Sequence, residues 1–296
     1  MSESTGDPCL LRVRNLSKHF RVGGSRKAPE IMKALDDVSF NVVRGETLGI
    51  VGESGSGKTT CARAVLRAID PTSGSALFNN NGRSVDLAKL SHQELIPLRK
   101  EMQMVFQDPF ASLNPRMTIG DIIAEPLVIH GMGSKSERKE KVAEFLEKVG
   151  LKAEHASRYP HAFSGGQRQR VGIARALILR PALLVADEAV SALDVCVRAR
   201  VLELLRDLRK EFGLTMMFVS HDLSMIRHIC DRVLVMYRGR IMEMGPVEQV
   251  FNHPQHAYTK VLLSAIPYPD PNRKMQPLTI DSLSPEQLQP LPMESL

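Results

Sequence analysis

Eight consecutive residues, 52–59, have the types and spacing of a phosphate-binding loop that leads into a helix. They match the pattern GxxxxGK[ST], and a helix is predicted over residues 60–69. Glycines let the backbone wrap closely around phosphate oxygens, and the start of the helix attracts anions. Lys58 would neutralise charge on the β- and γ-phosphates, and the hydroxyl of Thr59 would bind Mg²⁺. The predicted nucleotide-binding residues here are Gly52, Glu53, Ser54, Gly55, Ser56, Gly57, Lys58, Thr59 and Thr60.

Two adjacent carboxylates follow an apolar run and form the second candidate site. The run LLVA ends in Asp187 and Glu188, and ligands of open α/β sheets bind at such strand ends. Asp187 would hold the hydration shell of Mg²⁺, and Glu188 would polarise an attacking water. Two solvated acids at a strand end are the alternative, but the phosphate loop in the same chain favours the catalytic interpretation.

Short apolar runs alternate with helical stretches along the chain, which predicts a mostly parallel sheet covered by helices. Residues 10–45 show two alternating runs instead and predict an antiparallel part. A turn at Arg238-Gly239 joins the last two predicted strands. The predicted strands are Thr47–Val51, 102–106, 182–186, 214–219, 233–237 and 241–244.

Two stretches depart from this alternation. Between residues 114 and 172, apolar residues at helical spacing over Ile119–Ile129 and 137–149 predict a helical insertion in the α/β core. Seven of the 18 prolines follow Ile266. Residues 267–296 are therefore expected to form an extended or disordered tail.

The composition limits the class of protein. The chain has 296 residues, 43% hydrophobic and 24% charged, which suits one large or two small globular domains. Its apolar runs are shorter than the ~18–20 residues of a membrane helix. The polar start, residues 1–8, predicts no cleaved signal peptide. The four cysteines are widely separated, which predicts neither a zinc site nor disulfides.

The net charge and the aromatic content constrain the type of binding partner only weakly. The net charge of +6 fits nucleic acid, an anionic membrane surface or no specific partner. No run of Lys and Arg resembles a nucleic-acid-binding tail. Aromatic residues make up only 5% and Trp is absent from the sequence, so a base-stacking platform is not expected.

The segment FSGGQRQR, residues 163–170, resembles the LSGGQ signature of ATP-binding cassette (ABC) proteins, with Phe in the Leu position. It precedes Asp187, which is the order that the family requires. Ser164 is a good N-cap for a helix over 165–179. In the family, this helix start contacts the γ-phosphate bound to the other subunit of a head-to-tail dimer. The resemblance adds four residues to the nucleotide site: Ser164, Gly165, Gly166 and Gln167.

Further positions match the family in order. Phe20 resembles the aromatic residue that stacks on adenine, with an ordinary strand residue as the alternative. Gln107 resembles the Q-loop glutamine, which contacts Mg²⁺ and senses the transporter. Asp194 ends the segment SALD, which resembles the D-loop that communicates between the two nucleotide sites. His221 resembles the switch histidine that contacts the γ-phosphate, with a structural histidine as the alternative.

The resemblance covers residues 10–266 and implies a fold and an activity. The expected fold is an α/β P-loop NTPase of the RecA type, with a parallel core, an antiparallel N-terminal subdomain and an inserted helical signature subdomain. The implied activity is hydrolysis of ATP with Mg²⁺, coupled to solute transport. Glu188 and His221 would be catalytic, and Thr59, Gln107 and Asp187 would bind Mg²⁺.

Four segments resemble the oligopeptide, dipeptide and nickel importer ATPases, in particular the second of the two ATPase types in those systems. They are residues 107–116, 125–127, 187–195 and 256–267. The implied partners are two permeases, a sibling ATPase (a homodimer being possible) and an extracytoplasmic solute-binding protein, and no nucleic acid is expected. The implied location is the cytoplasmic face of the bacterial inner membrane.

The resemblance leaves the solute open, since peptides, nickel, oligosaccharides and opine-like compounds are all compatible. A non-transport ABC ATPase acting on nucleic acid or ribosomes is the alternative function. An exporter ATPase and a regulatory module without hydrolysis are weaker alternatives. No cysteine follows Cys230, so the iron–sulfur cluster of some members is not expected. Cys196 follows the D-loop and is expected to be a small buried thiol.

Overall fold

The computed structural model describes residues 7–25, 28–80, 82–108, 110–265 and 278–291. They fall into two compact units. The first unit is made of Met1–Lys89 and Phe218–Leu296, and the second of Leu90–Met217. The predicted helical insertion, 114–172, falls inside the second unit. Residues 267–277 and 292–296 of the predicted tail lie outside the described residues.

Strands and helices alternate along the chain after an N-terminal hairpin. The strands of the described residues are β1 (Cys9–Ser25), β2 (Ala28–Val43), β3 (Thr47–Val51), β4 (Ser73–Asn80), β5 (Arg83–Asp86), β6 (Met102–Val105), β7 (Leu183–Asp187), β8 (Thr215–Val219), β9 (Arg232–Tyr237) and β10 (Arg240–Pro246). The α-helices are α1 (Lys58–Val65), α2 (His92–Arg99), α3 (Ile119–Ile129), α4 (Lys135–Lys148), α5 (Gly165–Leu177), α6 (Val195–Phe212), α7 (Leu223–Ile229), α8 (Val247–Asn252) and α9 (Ala257–Ser264).

The first unit contains a four-stranded antiparallel sheet in the order β2-β1-β4-β5. Val13 lies opposite Phe40 on β2 and Ala76 on β4, and all three side chains are buried. Apolar residues that alternate along β1 and β2 thus form one face of a core. The antiparallel N-terminal part agrees with the sequence prediction.

The phosphate loop follows a parallel strand of the first unit. Strands lie in the order β10-β9-β3, and Gly49 of β3 is opposite Val233 of the parallel strand β9. All five residues of β3 are buried, which is typical of a strand covered on both faces. β9 and β10 form a hairpin. Its turn residues, Arg238 and Gly239, have φ angles of 46° and 81°, and this left-handed pair matches the predicted turn.

The second unit combines parallel strands with the predicted helices. Met104 of β6 is opposite Val185 of the parallel strand β7. α3 starts at Thr118, whose side chain accepts a hydrogen bond from the N–H of Asp121 in the first turn. α4 starts at a capping box formed by Ser134 and Glu137. α3 packs against both α4 and α5. The signature segment is therefore carried by a helical part of this unit.

Two helices end earlier than the sequence predicts. α1 ends at Val65 rather than at residue 69, because Arg67 has a left-handed backbone with φ 53°, and such a residue does not continue a right-handed helix. α5 ends at Leu177 rather than at residue 179. Arg180 is also left-handed, with φ 52°, and Pro181 follows it.

Residues 278–291 are ordered and differ from the extended or disordered tail that the proline content suggests. They contain two 3-10 turns, Ile280–Ser282 and Glu286–Leu288. The N–H of Leu278 donates to the hydroxyl of Ser264 in α9 at 3.0 Å. Proline fixes φ at a value that turns use, so Pro285 and Pro290 are compatible with ordered turns once other residues hold this segment in place.

An ion pair between β2 and β10 predicts a pH-dependent part of the stability. Arg240 donates through Nε and Nη2 to Oδ2 of Asp36 at 2.9 and 2.6 Å, and these bonds hold the pKa of Asp36 below its usual value. We expect Asp36→Asn to lower the free energy of unfolding by about 0.5–1 kcal/mol at pH 7. Because the pKa of Asp36 is lowered in the folded state, the loss of unfolding free energy reaches its full size above about pH 4, the usual pKa of an aspartate. The loss disappears as the pH falls through the folded-state pKa.

Urea unfolding of the isolated chain between pH 3 and 7 measures this difference. Glu154→Gln is the control, because the ion pair of Glu154 with Lys152 is exposed on both sides and such pairs add little. A destabilisation by Asp36→Asn that does not change with pH would assign the effect to packing rather than to the charge.

Candidate nucleotide site

The phosphate loop connects β3 to α1 and closes around its own lysine. Lys58 is 5% exposed. Its Nζ donates to the carbonyl oxygens of Gly52 and Glu53, both at 2.7 Å. A cation is thus already held at the centre of the loop, at the position where phosphate charge would be neutralised.

Two glycines of the loop are required by close backbone contacts. Gly52 has φ 149°, and a Cβ there would lie 2.2 Å from the carbonyl oxygen of Met236. Gly57 has φ 103°, and a Cβ would lie 2.5 Å from the carbonyl oxygen of Ala34. The loop backbone therefore passes close to β2 and β9, and any larger residue would displace it.

The start of α1 points to an anion site. Gly57 is its N-cap and supplies no side-chain hydrogen bond to the first turn. The first N–H groups of a helix carry partial positive charge, so a phosphate can take the place of a capping side chain. The N–H of Gly239, in the β9–β10 turn, donates to the carbonyl oxygen of Ser56 at 2.9 Å and holds the loop from the other side.

The predicted Q-loop glutamine and the predicted general base are in contact. Nε2 of Gln107 donates to Oε2 of Glu188 at 2.9 Å. Asp187, the preceding residue, is 2% exposed at the end of β7. Glu188 has φ 47°, an unusual value for a residue with a side chain. Its carbonyl oxygen accepts from the N–H and the hydroxyl of Ser191 at 3.0 and 2.9 Å, which stabilises this conformation.

The signature helix begins at a capping box, as the sequence predicts. Ser164 accepts from the N–H of Gln167, and Gln167 Oε1 accepts from the N–H of Ser164 at 3.0 Å. A Cβ on Gly166 would lie 2.3 Å from Cγ1 of Val197. The start of α5 is therefore packed directly against the start of α6, which only a glycine at position 166 permits.

Hydrogen bonds that involve the side chains of Asp194 and Arg198 hold the predicted D-loop in place. Asp194 caps α6 by accepting from the N–H of Val197 at 3.0 Å. Arg198 donates through Nη2 to the carbonyl oxygens of Ser191 and Leu193 at 3.3 and 3.0 Å. Arg198 could not be recognised from the sequence, since a single arginine on a helix carries no pattern of its own.

A second contact that the sequence did not reveal lies beside the signature motif. The guanidinium carbon of Arg168 is 4.2 Å from the centre of the Phe110 ring, a cation–π contact. A Cβ on Gly165 would lie 3.9 Å from the same ring. The segment after Gln107 therefore touches the start of the signature helix.

The remaining predicted residues belong to the first unit. Phe20 is half-buried on β1, with Nζ of Lys18 5.0 Å from its ring centre. His221 is exposed and follows Ser220, whose N–H donates to the carbonyl oxygen of Ile50 at 3.1 Å. His221 therefore lies just after the end of β8, next to the end of β3, where the phosphate loop starts.

The burial expected for Cys196 is wrong. Cys196 is exposed in the first turn of α6. The apolar face of that helix is formed by the buried residues Val201, Leu205 and Leu208, and residue 196 lies off this face because of the helical repeat.

The predicted residues are thus distributed over both units. The phosphate loop, Phe20 and His221 belong to the first unit. The second unit contains Gln107, Asp187, Glu188, the signature residues from Ser164 to Gln167, and Asp194.

Family models match most of this chain. The model described as ABC transporter matches residues 35–191, which include the phosphate loop, the signature segment and both carboxylates. The chain is a member of the ABC transporter family. A second model, described as the C-terminal region of oligopeptide/dipeptide transporters, matches residues 242–290. The resemblance to the oligopeptide/dipeptide importer ATPases is thereby confirmed.

Individual ABC relatives are similar over nearly the whole chain. A putative peptide import ATP-binding protein of Brucella ovis is 55% identical over 90% of this chain and 81% of its own length. The oligopeptide transport ATP-binding protein OppF of Bacillus subtilis is 52% identical over 89% of this chain and 84% of its own. Both are named as ATP-binding proteins, in agreement with an ATPase.

Solved ABC structures confirm the fold class. The ATP-binding cassette MJ0796, solved as a dimer bound to ADP and Pi in a post-hydrolysis state, superposes with a TM-score of 0.70 and 30% identity. The match covers 80% of this chain and 98% of the cassette. The predicted α/β P-loop fold and the predicted ATPase class are therefore confirmed, and the chain binds nucleotide as an ABC cassette. No helix of the described residues is long and apolar enough to cross a membrane.

Proposed function

We propose that this ABC ATPase powers the import of peptides or related small solutes through partner permeases. The observation that carries the proposal is the similarity over about nine-tenths of the chain to a protein named for peptide import, at 55% identity. The match of residues 242–290 to the oligopeptide/dipeptide transporter region supports the same solute class. The names of these relatives give no support to a nucleic-acid or ribosome substrate.

The proposed site assigns one task to each group. Phe20 stacks on adenine, the loop from Gly52 to Thr60 surrounds the phosphates, and Lys58 neutralises their charge. Glu188 takes the proton of the attacking water, and His221 contacts the γ-phosphate. The hydrogen bond from Gln107 orients the Glu188 carboxylate, so that its other oxygen is available to accept the proton.

Mg²⁺ is part of the proposal, and the residues fit this ion. Thr59, Gln107 and Asp187 provide a hydroxyl, an amide carbonyl and a carboxylate, which are the oxygen ligands that Mg²⁺ prefers. Because Nε2 of Gln107 donates to Glu188, its Oε1 is the amide atom left for the ion. Bound Mg²⁺ would neutralise charge that develops on the phosphates.

The proposed assembly has two ATPase chains on two permeases, at the cytoplasmic face of the bacterial inner membrane. A sibling ATPase is the proposed partner, and an extracytoplasmic protein would deliver the solute. Each nucleotide would lie between the phosphate loop of one chain and the signature helix of the other. The proposal is supported by two helix starts that belong to different units: α1 begins at Gly57 without a side-chain cap, and α5 begins at the Ser164 capping box.

Ser164→Arg tests this two-chain site. We expect the isolated variant to bind ATP with nearly wild-type affinity, because its own phosphate loop is intact. In the reconstituted transporter, hydrolysis at the site of the partner's phosphate loop should fall by about 10²-fold or more, since a bulky side chain blocks the helix start that must approach the γ-phosphate. Equilibrium ATP binding and steady-state ATPase assays measure the two effects.

Ser134→Arg is the matched control, because Ser134 forms the same kind of capping box at the start of α4. Loss of this capping box should lower the stability of α4 by about 1 kcal/mol and leave the signature segment unchanged. If Ser164→Arg weakened ATP binding to the isolated chain, or if Ser134→Arg inhibited the transporter equally, the two-chain site would be wrong. Full turnover of the purified chain alone would remove the need for a sibling.

Uptake of a labelled tripeptide by cells tests the transport function. The gene for this chain is deleted, and a copy that encodes either the wild-type protein or the Glu188→Gln variant is then supplied. The permease genes are left in place. Peptide uptake should require the wild-type chain, whereas nickel uptake should not change. Peptide uptake independent of the chain contradicts the proposal, and co-purification with nucleic acid instead of permeases would favour the alternative.

A further inference from the structure

A tyrosine from the C-terminal region contacts the phosphate loop. Tyr258, in the first turn of α9, is fully buried. Its ring centre lies 4.5 Å from that of Tyr237, and burial raises its pKa. The hydroxyl oxygen accepts a hydrogen bond from the N–H of Glu53 at 3.3 Å. This bond joins residues 205 positions apart in the sequence.

The same peptide group also holds the loop lysine. The N–H of Glu53 and the carbonyl of Gly52 belong to one planar peptide unit. Its N–H donates to Tyr258, and its carbonyl oxygen accepts from Nζ of Lys58 at 2.7 Å. Any rotation of this peptide would break both bonds together. The orientation of the carbonyl on which Lys58 rests is therefore set in part by Tyr258.

A buried histidine fixes the position of α9 and hence of Tyr258. Nδ1 of His256 accepts from the N–H of Tyr258 at 3.0 Å, and its Nε2 donates to the carbonyl oxygen of Gln289 at 2.8 Å. The N–H groups of Gln255 and His256 donate to the Glu243 carboxylate at 2.8 and 3.1 Å. The C-terminal region thus supports the tyrosine through several hydrogen bonds.

We infer that Tyr258 is a positioning residue for nucleotide binding, acting through the Gly52–Glu53 peptide on the phosphate loop and Lys58. This inference rests on the proposed nucleotide site. It gives the C-terminal region a role in the ATPase reaction: its ordered helix keeps the first peptide of the loop in the orientation that phosphate binding requires. Tyr258 itself is fully buried and is not assigned a contact with ATP.

Tyr258→Phe removes the hydroxyl and leaves the ring. Because one neutral hydrogen bond is lost, we expect ATP to bind the isolated chain about fivefold more weakly. In the reconstituted transporter, KM for ATP should rise by a similar factor, with kcat changed less than twofold. The unfolding temperature without nucleotide should remain near that of wild type. Tyr237→Phe, which removes a hydroxyl from the other ring of the stacked pair, is the matched control and should bind ATP normally.

The double variant Lys58→Ala/Tyr258→Phe shows whether the effect passes through the lysine. If it does, adding Tyr258→Phe to Lys58→Ala should cause almost no further loss of ATP affinity. Unchanged ATP affinity in Tyr258→Phe, or an equal loss in Tyr237→Phe, overturns the inference. A lower unfolding temperature with unchanged affinity makes Tyr258 merely structural. If Lys58→Ala alone leaves ATP binding intact, the proposed nucleotide site fails instead.

Discussion

Replacing Lys58 with alanine is expected to weaken ATP binding by about 10- to 100-fold, the range for a lost hydrogen bond to a charged group. Hydrolysis in the reconstituted transporter should fall by at least about 10²-fold, because charge on the transferred phosphate is no longer neutralised. The structure supports this expectation, since Nζ of Lys58 is held inside the loop by two backbone carbonyls. Calorimetric titration with ATP and a phosphate-release assay measure both effects.

Lys89→Ala is the control for the removal of a positive charge outside the phosphate loop. Lys89 is also in the first unit, and its exposed side chain pairs with Asp86 at 3.3 Å. Its removal should leave ATP binding unchanged. Near-normal turnover of Lys58→Ala at saturating ATP would reject the assignment of this loop as the phosphate site.

Glu188→Gln should nearly abolish hydrolysis while ATP binding persists. Loss of a general base costs typically ~10²–10⁴ in rate, or ~3–5 kcal/mol of barrier. The substituted amide oxygen can still accept from Gln107 Nε2, which now contacts Glu188 at 2.9 Å. The local conformation should therefore survive. We expect the variant to accumulate as an ATP-bound dimer, detectable by size-exclusion chromatography and by retained nucleotide.

Glu203→Gln is the control in the same unit, because Glu203 is exposed on α6 and pairs only loosely with Arg206, at 3.6 Å. It should hydrolyse ATP at the wild-type rate. If Glu188→Gln kept its hydrolysis and trapped no dimer, another residue would be the general base.

The phosphate loop and the signature helix were predictable because their information is local. Eight contiguous residues determine the loop, and its glycines have the φ values that only glycine adopts readily. The signature helix begins at a capping box between Ser164 and Gln167, three positions apart. Such patterns are complete within one short segment, so they can be recognised without knowledge of the rest of the fold.

Helix ends and burial were predicted less well, because tertiary packing competes with local preference. α1 and α5 end earlier than their apolar pattern suggests, each followed by a left-handed arginine. Residues 278–291, which include Pro285 and Pro290, form ordered turns because the side chains of Ser264 and His256 hydrogen-bond to their backbone. Cys196 is exposed, since the buried face of α6 is decided by what packs on it.

By itself, the sequence determined the family, the ATPase chemistry and the residues that could bind phosphate, because each depends on residues close together in the chain. Only the tertiary structure decided which distant groups meet. Gln107 reaches Glu188 across 81 positions and Tyr258 reaches Glu53 across 205. These contacts depend on how separate segments are placed by strand pairing and helix packing, and a hydrogen bond forms only when two such placements agree to within a fraction of an ångström.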